Sequence, residues 1–188
     1  GSEMCIRDRF QYESMAGITR LEPSHRKDYL RSGINLIQAN INNIQINEAK
    51  EVIPMIDIQY TIETEQYGNK TGNRLFIPAN IFRKGFTTPD LKQRVQDIHI
   101  NYGYLDTDSI CLQIPEGYTI ESLPKTCQVT SSFGSFSSSL MIKDKEICII
   151  HRLLMHRGIY PKEIYKDFLE FRKQIAAQYS SKIILKKE

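Results

Sequence analysis

A chain of 188 residues, 40% hydrophobic and 25% charged, is long enough to bury a core and too apolar for a disordered tail. Its net charge of +3 comes from 25 basic and 22 acidic side chains spread along the sequence, which argues against the gathered basic face of a nucleic-acid binder; the terminal doublet Lys186-Lys187 reads as solvated. No apolar run approaches the roughly 20 residues of a membrane span, and the opening residues lack the basic-then-apolar order of a secretory signal.

The first stretch, GSEMCIRDR, has no apolar period of two or 3.6 residues. Back-translated, it resembles one reading frame of the transposon-end adapter used to prepare DNA libraries, with Arg9 completing an open codon. Residues 1–9 are expected to be an adapter-derived scar and are set aside in reading the fold from sequence. On that reading Cys111, Cys127 and Cys148 are the native thiols, Phe10 marks a break in a longer gene, and the chain is a C-terminal piece. The expected organisation is a scar at 1–9, a truncated segment with a short helix at 10–50, and a β-sandwich domain with a C-terminal helix at 51–188.

FQYESM, residues 10–15, alternates Phe10 and Tyr12 with Gln11 and Glu13 and reads as a severed strand. LEPSHRKDYLRSGINLIQ offers Pro23 and Ser24 as a helix start and Leu30, Ile34 and Ile37 as one apolar stripe. Gly33 costs about 1 kcal/mol relative to Ala inside a helix, so a short helix stopping there is expected.

From Ile53 the pattern changes to period two. In PMIDIQYTIET, Ile56, Ile58, Tyr60 and Ile62 share one face while Asp57, Gln59, Thr61 and Glu63 share the other, as a half-buried strand requires. YGNKTGN is a turn by composition, and LFIPANIF an apolar run broken by Pro78. DIHINYGYL predicts a strand with Ile98, Ile100 and Tyr102 inward, and SICLQIP another with Ile110, Leu112 and Ile114 inward. YTIES, KTCQVTSS, SFSSSLMI and EICIIHRLLM follow, separated by Pro124, Gly134 and Lys143-Asp144-Lys145. Short strands at such regular intervals predict a mainly β fold, an antiparallel sandwich or barrel, of which the sandwich is the reading adopted. PKEIYKDFLEFRKQIAAQYSS then carries Ile164, Phe168, Phe171 and Ile175 at helical spacing, with Pro161 suited to the helix start and Tyr165 and Leu169 widening the stripe. That helix is expected to lie on the sheets, and KIILK to return as a last strand.

Cys148 and His151 have the C-x-x-H spacing of metal ligands, but on a strand residues three apart point to opposite faces. The same parity separates His151 from His156. Cys111, Cys127 and Cys148 read as ordinary thiols without a base or an oxyanion hole; a disulfide among them is open in an oxidising compartment and leaves one cysteine over. Asp106-Thr107-Asp108-Ser109 begins like a calcium loop but lacks its glycine and terminal acid, and reads as a polar hairpin tip. Asn69-Lys70-Thr71 fits a glycosylation sequon, and His99 faces outward with Asp97 and Asn101 as a solvated face. The residues therefore nominate no catalytic, cofactor-binding or metal-ligating site.

ICLQIPEGYTIESLP, SSFGSFSSS, RGIYPKEIYKDFLEFRKQI and KIILKK together resemble the C-terminal region of bacterial multidomain proteins. In these an N-terminal β-sandwich precedes a transglutaminase-like core, which an uncharacterised β-sandwich domain follows. The runs Ile114 to Pro124 and Tyr160 to Phe171 carry most of the resemblance. It implies a jelly-roll-like, non-catalytic accessory domain, exported to the periplasm or cell envelope, whose partner is the upstream core of the same parent chain. The Cys-His-Asp triad typical of that core matches no position here, so no catalytic residue is carried over. The rival reading is a glycan- or peptide-binding module using Phe133, Phe136, Tyr102 and Tyr104 as an exposed aromatic platform. A free-standing cysteine enzyme is the least favoured.

Overall fold

Period-two patterning becomes antiparallel sheet along most of the chain in a computed structural model that describes residues 15–50, 55–82, 89, 91 and 94–188, with the backbone of 2–3 and 5–6. In chain order the elements are β1 (Ser2–Glu3), β2 (Cys5–Ile6), α1 (Pro23–Ser32), β3 (Asn40–Ala49), β4 (Met55–Glu63), β5 (Asn69–Thr71), β6 (Arg74–Pro78) and β7 (Ile98–Ile100). There follow β8 (Tyr104–Gln113), β9 (Tyr118–Ser122), β10 (Cys127–Ser131), β11 (Gly134–Lys143), β12 (Glu146–Met155), β13 (Gly158–Tyr160), α2 (Tyr165–Tyr179) and β14 (Lys182–Lys187). They form a five-stranded sheet β1-β8-β12-β11-β10, a four-stranded sheet β5-β6-β14-β9, a three-stranded sheet β2-β4-β3 and the pair β13-β7. Every pairing is antiparallel. The protein is thus mainly β with a short N-terminal and a C-terminal α-helix, and no described helix is long and apolar enough to cross a membrane.

Near the N-terminus α1 begins on Pro23 and ends at Gly33, whose N–H reaches the Leu30 carbonyl at 3.2 Å. Leu30 and Ile34 are buried, but Ile37 is 71% exposed. The helix stops before Ile37 could join the expected stripe. Residues 10–14, read as a severed strand, lie outside the described residues. β3 was not anticipated by the period-two pattern, and its register explains why. Asn42 pairs with Thr61 and Gln45 with Gln59, so Asn43 and Ile44 together face Tyr60 in a bulge, with Asn43 at φ +53°. The extra residue moves the apolar positions to 41, 44 and 46, breaking the alternation.

YGNKTGN, expected as a turn alone, holds the strand β5 and a hairpin that turns at Gly72, where φ is +59°. Tyr102 is 58% exposed instead of inward, because β7 ends at Ile100. The largest correction concerns Asp106-Thr107-Asp108-Ser109. It is no hairpin tip: it lies inside the ten-residue β8, paired along its length with β12.

One face of the five-stranded sheet is covered in two halves. Ile147 and Ile149 pack with Ile77, Ile183 and Leu185 of the four-stranded sheet, a face-to-face sandwich. Phe133, Phe136, Leu153 and Met155 pack instead under α2, through Tyr165, Leu169, Phe171, Ile175 and Tyr179. Tyr165 and Leu169 thus sit at the centre of the helix stripe, while Ile164 and Phe168, expected on it, are only partly buried at its edge. A short 3₁₀ turn, Lys162–Ile164, leads from Pro161 into α2. Each fully buried aromatic or aliphatic side chain here contributes roughly 1.5–3 kcal/mol of transfer free energy. A separate core, with Ile18, Leu30, Ile41, Ile56 and Ile58, lies between α1 and the three-stranded sheet.

Candidate functional site

Strand parity and register bring chemistry-bearing side chains together on both faces of β8 and β12. On the covered face Ser138 of β11 lies opposite His151 of β12, and His151 lies opposite Asp108 of β8. This Ser-His-Asp row is 5%, 0% and 6% exposed. It occupies the seam where the cover changes from α2 to the four-stranded sheet. Tyr179, at the end of α2, closes the row: its phenol donates to Asp108 Oδ2 at 2.9 Å and its ring stands edge-on to the His151 imidazole at 4.8 Å. Phe136 flanks the same imidazole at 5.7 Å.

Burial, reinforced by the charges of Asp108 and Asp106, pushes the Tyr179 phenol far above its ordinary range, so it remains a hydrogen-bond donor. Nearby, burial lowers Arg172, partly offset by its hydrogen bond with Tyr104. A hydrolase would need the serine exposed to substrate and an oxyanion hole beside it. Here the row is buried beneath Tyr179 and Phe136, and Asp108, through the Tyr179 hydroxyl, ties α2 to the sheet. A buried carboxylate that accepts a hydrogen bond avoids the cost of an unsatisfied charge.

On the opposite face Cys148 lies directly opposite Cys111, with Cα atoms 4.1 Å apart, and their sulfurs are bonded. The expectation of ordinary thiols is therefore corrected for these two, and Cys127 is the free thiol among the described residues. Burial raises Cys127, offset in part by a backbone hydrogen bond at Ser138. Glu146 lies two residues from Cys148 on the same face, opposite Gln113, and Gln113 Nε2 donates to Glu146 Oε1 at 2.8 Å.

Cys148 and His151 do fall on opposite faces, so the C-x-x-H spacing brings no pair together. His156 is exposed just beyond β12, with Nδ1 3.4 Å from the Ser132 carbonyl. His99 is exposed on β7, while Asp97 accepts the Lys162 N–H at 3.1 Å and so helps seat the turn before α2. Asn69 is exposed on β5. The aromatic platform does not assemble: Phe133 and Phe136 are 0% and 1% exposed core residues, and Tyr104 is half-buried. Sequence reading missed the Ser138-His151-Asp108 row because its members are adjacent only across strands.

A cavity of about 310 Å³ separates β4 from β8, lined by Tyr60, Ile62, Tyr67, Phe82, Cys111 and Leu112 among others. Burial raises both the Tyr60 and the Tyr67 phenols. Residues 73–185 match the profile of a family described as a domain of unknown function with solved-structure representation, DUF3858. No curated protein and no solved structure matches the chain.

Proposed function

We propose, from the premise that the chain belongs to the DUF3858 family, that it is a non-catalytic accessory domain of a longer, transglutaminase-like protein of the bacterial envelope. The observation that carries this reading is the Ser138-His151-Asp108 row under Tyr179: the groups best suited to acid-base or nucleophilic work are buried beneath α2, and Asp108 accepts the Tyr179 hydroxyl. The Cys111–Cys148 disulfide supports an oxidising compartment such as the periplasm. Together with the sequence resemblance, these features favour a module that packs against or orients a catalytic core encoded upstream, residues 1–9 being an adapter scar in place of the native connection.

The test is genomic and biochemical. DNA upstream of codon 10 should continue in frame into a transglutaminase-like core, and deleting this domain from that parent should lower the core's stability or activity. A natural start codon at that point, or a core indifferent to the deletion, contradicts the reading. The β4–β8 cavity favours a second reading, a peptide- or glycan-binding module, with Tyr60 and Tyr67 as phenolic contacts. Saturable quenching of tyrosine fluorescence by envelope glycan or peptide, lost in Tyr60→Ala, would move the balance to it.

A further inference from the structure

We propose that Cys111, Cys148 and Glu146 form, when the disulfide is reduced, a three-ligand site for a thiophilic divalent cation of the zinc type. The donors converge because of sheet geometry, across strands instead of along one. Cys111 is directly opposite Cys148 with Cα atoms 4.1 Å apart, and Glu146 shares the face of Cys148 one pleat away. The two sulfurs and a carboxylate oxygen all lie within 4.8 Å of one another. Zinc binds thiolate at about 2.3 Å and carboxylate at about 2.0–2.2 Å, so tetrahedral ligand atoms stand roughly 3.5–3.8 Å apart. Breaking the sulfur–sulfur bond and small side-chain rotations reach that spacing without moving the backbone.

The surroundings suit a metal whose carboxylate ligand is held in place by a neighbouring side chain. Gln113 Nε2 holds Glu146 Oε1 at 2.8 Å, which fixes the carboxylate and leaves its other oxygen for the cation. Lys143, opposite Glu146 on β11, offsets part of the excess negative charge of two thiolates and a carboxylate. Cys111 and Glu146 are half-buried and Cys148 is buried, so the site has an entry side, with water in the fourth position. Two thiolates select zinc-like cations over calcium and magnesium.

The two forms exclude each other. A dithiol reductant delivers two electrons and two protons to the Cys111–Cys148 bond, leaving two thiols here and a disulfide on the reductant. Metal binding then releases both thiol protons to solvent. Reoxidation requires the cation to leave. The site is thus closed in an oxidising compartment and open in a reducing one.

The experiment uses the full chain carrying Cys5→Ser and Cys127→Ser, so that only Cys111 and Cys148 remain. It is reduced anaerobically with a phosphine, which takes its oxygen from water and leaves two thiols, and then titrated with Co²⁺ followed by Zn²⁺. The expected result is one equivalent of Co²⁺ with sulfur-to-metal charge-transfer absorption, displaced by Zn²⁺, and none in the oxidised protein. Glu146→Gln should still form the disulfide and keep the same circular dichroism, yet bind Zn²⁺ at least about tenfold more weakly. Reduced protein that binds no better than the oxidised form, or than Cys111→Ser, overturns the site. Unchanged affinity in Glu146→Gln overturns the three-ligand assignment.

Discussion

On the covered face of β8 and β12, His151 lies opposite Asp108, beside Ser138, and Tyr179 seals the row; on the open face, Cys148 lies opposite Cys111, beside Glu146, with Cys148 buried and Cys111 and Glu146 half-buried. Both groupings come from one register between the same strands. What separates their chemistry is cover. Under α2, Asp108 accepts the Tyr179 hydroxyl, the His151 ring packs against the Tyr179 ring, and the whole row is shielded from solvent. Without that cover, the neighbouring row carries a disulfide and a half-buried carboxylate.

The sharpest way to break this contrast is to truncate one large residue on each face. Phe136→Ala, at 1% exposure beneath α2, should cost about 3–5 kcal/mol in urea-induced unfolding. Met141→Ala, 57% exposed on the open face of the same strand, should stay within about 0.5 kcal/mol. Equal losses would mean that the open face is covered too. Next in size, Cys148→Ser removes a crosslink spanning 37 positions and should cost about 2–4 kcal/mol, an effect that reductant reproduces in the parent protein and leaves absent in the variant.

Tyr179→Phe should cost about 1–3 kcal/mol by leaving Asp108 without that donor. It also has a pH signature. The raised phenol contributes stability that is fully present below the unfolded tyrosine value of about 10 and is lost as pH rises above it, so the alkaline limb of a stability profile should flatten in the variant. The smallest effect is expected at the exposed Arg74–Glu121 pair, whose closest contact is 2.6 Å. The Arg74 hydrogen bonds depress Glu121, so its contribution is present above the ordinary carboxylate range and lost as pH falls through the folded value. Glu121→Gln should remove only a slight acid-side decrement in melting temperature.

Much of this architecture is legible where local pattern and tertiary environment agree. The alternation in β4 and the apolar stripe of α2 point to the elements that form, and KIILK does return as β14, between β6 and β9. Elsewhere a non-local partner decides. β3 hides its alternation behind the bulge at Asn43 and Ile44. Asp106 and Asp108 read as a turn because acidic residues are poor strand formers. Tyr179, 71 positions further on, supplies a hydrogen-bond donor to Asp108 inside β8. Parity alone separates Cys148 from His151, but the partner of each follows from the register of β8 on β12, which no single strand encodes.

Disulfide mapping tests that register most directly. Proteolysis of the unreduced, alkylated protein followed by mass spectrometry should yield one peptide pair joined through Cys111 and Cys148, with Cys127 recovered alkylated. A crosslink from Cys127 to either partner, or full alkylation of Cys111 and Cys148 under oxidising conditions, would contradict the strand register on which both faces depend.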